Sequence, residues 1–497
     1  MTGVERGADG IARYTERPPS LVHLLRASVD RDAAASAVVE VGGGSLTYGE
    51  LWDRAARVAG GLRAGRVERG DRVAIRLQNG IDWVLAFFGA QLAGAVVVPI
   101  NTRFTEDEAA YVVNDSGSVF TFAPDAALPD GDPFVIDDLQ PDDLAAIFYT
   151  SGTTGFPKGA MTSHGNFTAA SENTFRILQI DRSEGPGIAS LISLPLFHVM
   201  GCNSQLIPVL ELGGRVALLS SPLDFDGFFR AVGGHVVNQV VTVPAIYYAL
   251  VRHPQFAELD VSAVNWASYG GAPIAESLVR EIQHAFPNAR GGNGFGLTET
   301  SALTSFLPHA EAAEHADSVG FAVPVVDLAI EDAHPKNGVG ELLVRGPNVV
   351  QGYWKQPEAT AETFIDGWLH TGDLVRVDAD GLLYIVDRKK DMINRGGENV
   401  YSLEVESGLA GAPSVGEVAV IAVPDEMMGE EVGAVIVPTP GTQIDIDAVI
   451  AYGRAHMADF KVPQYVAVRE DPLPRNPSGK VLKARLRGET DWGRPLR

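Results

Sequence analysis

Between Leu46 and Ile100 the spacing of apolar residues changes from segment to segment. "LTYGELWDRAARVAGGLRAG" repeats them at helical spacing, and "DRVAIRL" compresses them into a strand. "IDWVLAFFGAQLAG" returns to a helix, and "AVVVPI" reads as a second strand. The same logic makes "LAAIFY" a strand, "TSGTTGFP" the loop after it, "KGAMT" a returning strand and "HGNFTAASENTF" a helix. Strands alternating with helices predict an α/β fold, with layered, largely parallel sheets covered by helices. Near Asp387 the pattern changes. "VGEVAVIAVP" and "EVGAVIVP" read as strands, "IDAVIAYGRAHM" as a helix and "QYVAVRE" as a strand, which suits a small α+β domain of about 100 residues. The basic "DRKK" at 387–390 marks the boundary.

Three charge-poor windows, Trp83 to Thr102, Gly185 to Leu210 and Ala231 to Val251, could pass for membrane spans. Glycine and proline interrupt each of them, at Gly94 and Pro99, at Pro195, Gly201 and Pro208, and at Gly233, Gly234 and Pro244. They are expected to be buried core, with no membrane span. A chain of 497 residues at 45 % hydrophobic content exceeds what one core organises, so more than one domain is expected. No repeat with a period of about 20 to 50 residues and no low-complexity tract interrupts it.

Charge narrows the partners. Lys and Arg total 39 against 63 Asp and Glu, a formal net charge of −24, which repels nucleic acid and anionic membrane. A phosphate site must then come from backbone donors and a few local cations. The single Cys202 excludes an internal disulfide and a multi-cysteine metal site. The N-terminal "MTGVERGADGIARYTERPPS" lacks a basic start and apolar run, so a cytoplasmic enzyme is expected.

"YTSGTTGFPKGAM" carries the candidate chemistry. Its glycines let backbone amides converge on phosphate, Ser and Thr add hydroxyl donors, and Lys158 adds charge, so Thr150, Ser151, Gly152, Thr153, Thr154, Gly155 and Lys158 read as a triphosphate cradle. It is not the Walker A loop, because Lys158 follows Pro157 and Gly159 stands where Ser or Thr should be. "GNGFGL" is not a dinucleotide fingerprint either, since Leu297 replaces its third glycine.

In order along the chain, "YTSGTTGFPKG", "LPLFHVMG", "YGGAPI", "GFGLTET", "GWLHTGD", "DRKKDMINRGGENVYSLEVE" and "PRNPSGKVLK" resemble the adenylate-forming superfamily of acyl-CoA synthetases, luciferase-like enzymes and peptide-synthetase adenylation domains. The resemblance runs from about residue 40 to about 490. It implies two half-reactions: a carboxylate attacks the α-phosphate of ATP to give an acyl adenylate and pyrophosphate, and a thiol then attacks the adenylate. ATP, Mg²⁺ and coenzyme A are the implied cofactor and co-substrates.

Each motif offers suitable chemistry. Phe295 presents an apolar face to a purine, Thr298 a hydroxyl to phosphate, and Glu299 a hard oxygen to magnesium. Asn293, Gly294 and Gly296 share that stretch, and similar enzymes usually carry tyrosine at Phe295. Gly271, Ala272 and Pro273 form a small-residue turn for the other side of the adenine. Asp373 and Arg388 suit the two ribose hydroxyls. His198 most resembles the family's gate between the ATP site and the acid tunnel. Val199, Met200, Cys202 and Asn203 follow it as pocket lining, and on a helix His198 and Cys202 would share a face. Lys480, behind Pro474, Pro477 and Gly479, would compensate charge developing on the α-phosphate and pyrophosphate.

By resemblance the chain divides into a large domain at 1–386 that binds ATP and acid, a hinge at 387–390 and a small mobile domain at 391–497. The pivot falls at Lys390. It would bring Arg395, Gly396, Gly397 and Glu398 to the site for coenzyme A, the glycines allowing close approach of the pantetheine. Asp373 to Arg388 has no room for the insertion typical of fatty acyl-AMP ligases. A stand-alone adenylation enzyme loading an acyl carrier protein stays open as the alternative. A non-catalytic adenylate binder is disfavoured by the presence of both Glu299 and Lys480. A homodimer is the assembly considered. Malonyl-CoA synthetases resemble this chain but place an arginine where Gly294 stands, and "FHVMGCNSQLIPVL" contains no Lys or Arg. An apolar monocarboxylic acid is expected, and a medium- or long-chain fatty acid before an aryl acid.

Overall fold

The computed structural model describes residues 3–150, 157–234, 236–335, 337–475 and 480–496. The segments read as helices and strands take those forms. "LTYGELWDRAARVAGGLRAG" becomes the helix Tyr48–Ala64, started by a reciprocal capping box between Thr47 and Glu50. "IDWVLAFFGAQLAG" becomes Ile81–Leu92. The two helices pack closely enough that a Cβ on Gly89 would lie 2.4 Å from Val58 Cγ1, so the glycine sets their approach.

These helices cover a five-stranded sheet in the order Phe120–Phe122, Arg72–Ile75, Val96–Pro99, Leu144–Thr150, Lys158–Ser163. All its pairs are parallel except the last, where Thr150 lies opposite Lys158 at the mouth of the glycine-rich loop. A nine-stranded sheet forms the second layer. Its centre, Gly292–Leu297, Trp266–Gly270, Gln239–Thr242, Ala189–Ile192, Arg215–Leu218 and Ser36–Glu40, is parallel, and antiparallel strands close both edges. Trp83, Phe87, Phe148, Phe167 and Leu210 belong to one continuous core that joins the layers. The three apolar windows fall inside these layers, and no described helix is long and apolar enough to cross a membrane.

A third sheet departs from the parallel pattern. Asp327–Glu331, Gly340–Arg345, Phe364–Ile365, Trp368–Val377 and Leu383–Arg388 form an antiparallel meander. Short links, such as the turn at Gly381 with φ +88°, join three of its strand pairs as antiparallel neighbours, and a longer connection through the helix Pro357–Thr363 separates Gly340–Arg345 from Phe364–Ile365. The fold class is nonetheless mixed α/β, with a large N-terminal domain of layered sheets and helices and a smaller C-terminal domain.

The small domain has its own core. Ile393, Val400, Val405, Leu409, Val420, Val432, Ile436 and Val449 pack between a mostly antiparallel sheet and the helices Ser402–Leu409 and Ile446–His456. The strands expected there are Val415–Asp425, Gly429–Pro438 and Tyr465–Val468.

Candidate active site

Loops at the C-terminal ends of parallel strands are where open α/β sheets bind ligands, and two neighbouring strands supply the floor here. Trp266–Gly270 runs into the turn Gly271, Ala272, Pro273, all exposed, with Gly271 at φ +76°. Beside it Gly292–Leu297 pairs in parallel register, Gly270 opposite Gly294, and runs into the 3₁₀ turn Thr298–Thr300. A bulge interrupts pairing between Phe295 and Gly296, and a Cβ on Gly296 would lie 1.4 Å from the Ala302 carbonyl. Ser301 at φ +53° and Ala302 at φ +121° hold the turn in a strained form. Phe295 is half-buried against the core around Phe306 and Val323, so part of its ring stays uncovered. Asn293 differs from expectation. Its buried side chain donates to the Ser318 carbonyl at 3.3 Å, so at least one of its amide donors is committed to the core.

At the phosphate end, Ser151, Gly152, Thr153, Thr154 and Gly155 lie outside the described residues. The loop's two bases are described. The Thr150 hydroxyl donates to the Lys158 carbonyl at 3.4 Å, and Lys158 Nζ stands 4.9 Å from the centre of the Tyr353 ring. Tyr353 in turn donates its hydroxyl to Glu299 Oε1 at 2.7 Å, and Oε2 takes no hydrogen bond among the described residues. This donor set fits magnesium, which takes one or two carboxylates and completes its shell with substrate phosphates and water. Sequence reasoning missed Tyr353. It stands in "GYWK", 54 residues from Glu299, with no spacing signal to link them.

Asp373 and Arg388 face each other across the strands Trp368–Val377 and Leu383–Arg388, with Arg388 Nε 2.7 Å from Asp373 Oδ1. Asp373 is 2 % exposed, and its Oδ2 has no hydrogen-bond partner among the described residues. A buried carboxylate oxygen without a donor fits a sugar hydroxyl. Burial pushes the Asp373 carboxyl up to about 6, against the pull of Arg388 and Lys480. Lys480 reaches this cluster from the small domain. Desolvation and the Arg388 charge lower its pKa, while Asp373 and Glu299 raise it. The structure therefore gathers Lys480, Asp373, Arg388 and Glu299 into one electrostatic neighbourhood.

His198 borders the same neighbourhood. Burial first, then the charges of Lys480 and Arg103, push it down to about 4, so the ring is neutral at physiological pH. It precedes a short turn, Val199–Gly201, and a π-helix, Cys202–Leu206. The wider π turn changes the expected facing. Cys202 has no exposed surface and packs in the main core, and burial raises its thiol pKa. Asn203 is equally buried and donates to the Ser301 carbonyl at 3.3 Å. Both stand behind the pocket surface, while Val199 and Met200 are half-buried. A Cβ on Gly271 would lie 3.7 Å from Met200 Sδ, so the pocket lining abuts the adenine turn. Phe197 also lines a groove of about 380 Å³ together with Gln78, Asn79, Thr102, Arg103 and Ser220 among others. Arg103 is a cation that the stretch around His198 could not reveal.

The expected coenzyme A loop stays within the small domain. Arg395 pairs with Glu431 at 2.7 Å, and Gly397 N–H donates to Asn394 Oδ1 at 2.9 Å. Arg395 and Glu398 are directly paired, so Gly396 at φ +58° and Gly397 at φ +93° make a two-residue hairpin turn that itself demands glycine. Lys390 sits in the turn after Leu383–Arg388, where the Arg388 carbonyl accepts from both Asp391 and Met392. Just before it, the buried Asp387 carboxylate accepts from the Ser402 backbone N–H and, at 3.0 Å, from the Ser402 hydroxyl. Lys483 Nζ donates to that hydroxyl at 2.6 Å and pairs with Glu406 at 2.7 Å. This chain of bonds fastens the helix Ser402–Leu409 to the end of the strand Leu383–Arg388.

Comparison with known proteins covers most of the chain. The family model described as AMP-binding enzyme matches residues 25–354, and the AMP-binding enzyme C-terminal domain matches 404–480. A feruloyl-CoA synthase from Amycolatopsis sp is 39% identical over 474 residues, spanning 90% of this chain and 95% of the relative. The long-chain-fatty-acid–CoA ligase FadD13 of Mycobacterium tuberculosis is 35% identical, spanning 89% and 92%. Among solved structures, the o-succinylbenzoate CoA synthetase of Bacillus subtilis in complex with its acyl-adenylate intermediate superposes with a TM-score of 0.85 at 28% identity, over 97% of this chain and 100% of that one. The same synthetase has also been solved with ATP and magnesium ion, at a TM-score of 0.84.

Proposed function

The chain belongs to the AMP-binding enzyme family as an AMP-forming acyl-CoA synthetase that uses ATP, Mg²⁺ and coenzyme A, and from that premise we propose that its acid is an apolar monocarboxylate, first of all a medium- or long-chain fatty acid. The observation that carries the mechanism is the gathering of Lys480 with Asp373, Arg388 and Glu299. The acid's carboxylate oxygen attacks the α-phosphorus, the bond to the β-phosphate oxygen breaks, and pyrophosphate leaves. Thr150 to Gly155 and Lys158 cradle the triphosphate, and Asp373 with Arg388 holds the ribose. Lys480 compensates the charge that develops on the α-phosphate and the leaving group. When bound through Glu299, magnesium neutralises phosphate charge.

The second half-reaction needs the thiol to reach the acyl carbon and expel AMP. We assign residues 1–386 to the large domain, 387–390 to the hinge and 391–497 to the small domain. A turn about Lys390 withdraws Lys480 and presents Arg395 to Glu398 to coenzyme A.

The acid assignment rests on the lack of Lys and Arg in the stretch 197–210, with Arg103, close enough to act on His198, as the cation that a second carboxylate would have to reach. A second carboxylate left unpaired in the pocket would cost several kcal/mol, and the half-buried Val199 and Met200 offer apolar surface. Flexible Met200 suits an alkyl chain. An arylpropenoic acid is the second reading, favoured by the name of the 39% identical feruloyl-CoA synthase. The test is pyrophosphate release and thioester formation across malonate, benzoate, ferulate and straight-chain acids, with and without coenzyme A. A straight-chain acid with the highest kcat/KM supports the first reading, and ferulate with the highest supports the second. Malonate winning overturns the charge argument. Adenylate that loads a carrier protein but never coenzyme A overturns the acceptor.

A further inference from the structure

We propose that Tyr353 is a positioning residue for the triphosphate end of the site, holding Glu299 in place with its hydroxyl and keeping Lys158 apart from Glu299 with its ring. The inference rests on the reading of Glu299 as the magnesium ligand. Three observations support it.

First, Tyr353 is rigidly set. It bridges Ala160 in the antiparallel sense, and the flanking bonds Met161 N–H to Gly352 O at 2.9 Å and Trp354 N–H to Gly159 O at 2.8 Å lace its segment along the strand that begins at Lys158. Its own N–H donates to Thr360 Oγ1 at 2.9 Å, and its ring meets Phe364 edge-on with centroids 5.7 Å apart. Second, the same segment holds the backbone of Glu299, whose carbonyl accepts from Val350 N–H at 2.9 Å. Val350 to Trp354 is thus a strap between the strand carrying Lys158 and the turn carrying Glu299. Third, the side chain completes the link at both ends: the hydroxyl is 2.7 Å from Glu299 Oε1 and the ring centre 4.9 Å from Lys158 Nζ.

The chemistry explains why a tyrosine serves here. Lys158 and Glu299 carry opposite charges and would neutralise each other if they met, which would occupy the cation meant for phosphate and the anion meant for metal. Among the described residues they form no salt bridge. Tyr353 satisfies each separately, the ammonium through its ring face and the carboxylate through its hydroxyl. Tyr353 is only 7 % exposed, so its ring and hydroxyl are held in place by the packing around them. When ATP arrives, Lys158 exchanges a weak ring contact for phosphate, and Glu299 already presents its second oxygen.

The experiment measures Mn²⁺ binding by electron paramagnetic resonance in the presence of α,β-methylene ATP, for wild type, Y353F, E299Q and the double variant. Sites are counted against bound nucleotide, so partial unfolding changes their number and not their affinity. Y353F is expected to weaken Mn²⁺ about 10-fold, the scale of losing a partner that orients a metal ligand. The double variant should bind no more weakly than E299Q, because the hydroxyl acts through that carboxylate. Y353F binding like wild type while E299Q loses Mn²⁺ would overturn the role of Tyr353 and leave Glu299 as ligand. E299Q binding like wild type would instead remove Glu299 as ligand, and the inference with it. Tyr353→Leu also removes the ring, and its KM for ATP should exceed that of Y353F; equal values would overturn the spacing role.

Discussion

Arg388 engages only one of the two carboxylate oxygens of Asp373, and the other is buried without a donor among the described residues. This relationship predicts opposite effects on binding and on stability. Asp373→Asn keeps the shape but removes a charged acceptor, and charge-assisted hydrogen bonds contribute about 1.5–3 kcal/mol, so KM for ATP should rise about 10- to 100-fold. The folded-state pKa of about 6 lies above the ordinary 3.8. The favourable contribution of protonated Asp373 is therefore complete below 3.8 and lost as pH rises through 6. The ligand-free variant should melt above wild type at pH 7.5, the difference fading at pH 4. In wild type, kcat/KM for ATP should fall as pH drops through about 6. Equal melting temperatures at pH 7.5, read by calorimetry, would show that ionised Asp373 costs nothing.

Lys480→Ala should slow adenylation by about 10²-fold or more, the effect of removing one preorganised group that meets developing charge. Thioester formation from supplied acyl adenylate should be spared. Lys390→Pro should do the converse, since proline restricts φ at the pivot. Single-turnover assays of each half-reaction separate the two. Equal losses in both steps for Lys480→Ala would mark the lysine as structural, and normal overall turnover in Lys390→Pro would move the pivot elsewhere.

Ser402 bonds Asp387 across the proposed pivot at Lys390, so a turn there would pull on that contact. Ser402→Ala removes the hydroxyl that Asp387 and Lys483 share, a loss of about 1 kcal/mol, and should lower the ratio of adenylation to thioester rate roughly fivefold. The backbone N–H still bonds Asp387, so the fold should persist. An unchanged ratio would exclude this contact from the balance between domain arrangements.

His198 is held neutral by burial and by Lys480 and Arg103, with its pKa near 4. Its contribution as a gate must come from shape. His198→Phe should retain activity within a few-fold, His198→Ala should lose more, and neither should alter the pH profile between 6 and 8. A pH limb in that range that vanishes in His198→Phe would restore a proton-transfer role.

Much of the architecture was legible because the signals were local. Thr47 and Glu50 cap their helix from three residues apart, and the apolar period of Tyr48–Ala64 states which face is buried. The returning strand after the glycine-rich loop follows from its short length and alternation. The antiparallel meander at 327–388 was not legible in this way, because "GWLHTGD" was read for its acid and not as part of a strand. The π turn at Cys202–Leu206 also escaped, since an assumed helical spacing put Cys202 on the same face as His198.

By itself the sequence determined the layered fold, the small C-terminal domain, the reaction class, and which residues carry suitable charge and hydrogen-bonding groups. The fold elements follow from spacing within about 20 residues, and the reaction class from the family resemblance that seven ordered motifs carry. Tertiary structure alone decided how those groups meet. Asp373 reaches Arg388 only through strand register, Tyr353 reaches Glu299 across 54 residues, and Arg103 approaches His198 from another segment. Lys480 meets Asp373 and Arg388 from more than 90 residues further along the chain. Such contacts depend on burial and register summed over the whole chain, and a side chain's identity does not encode the neighbour that packing brings to it.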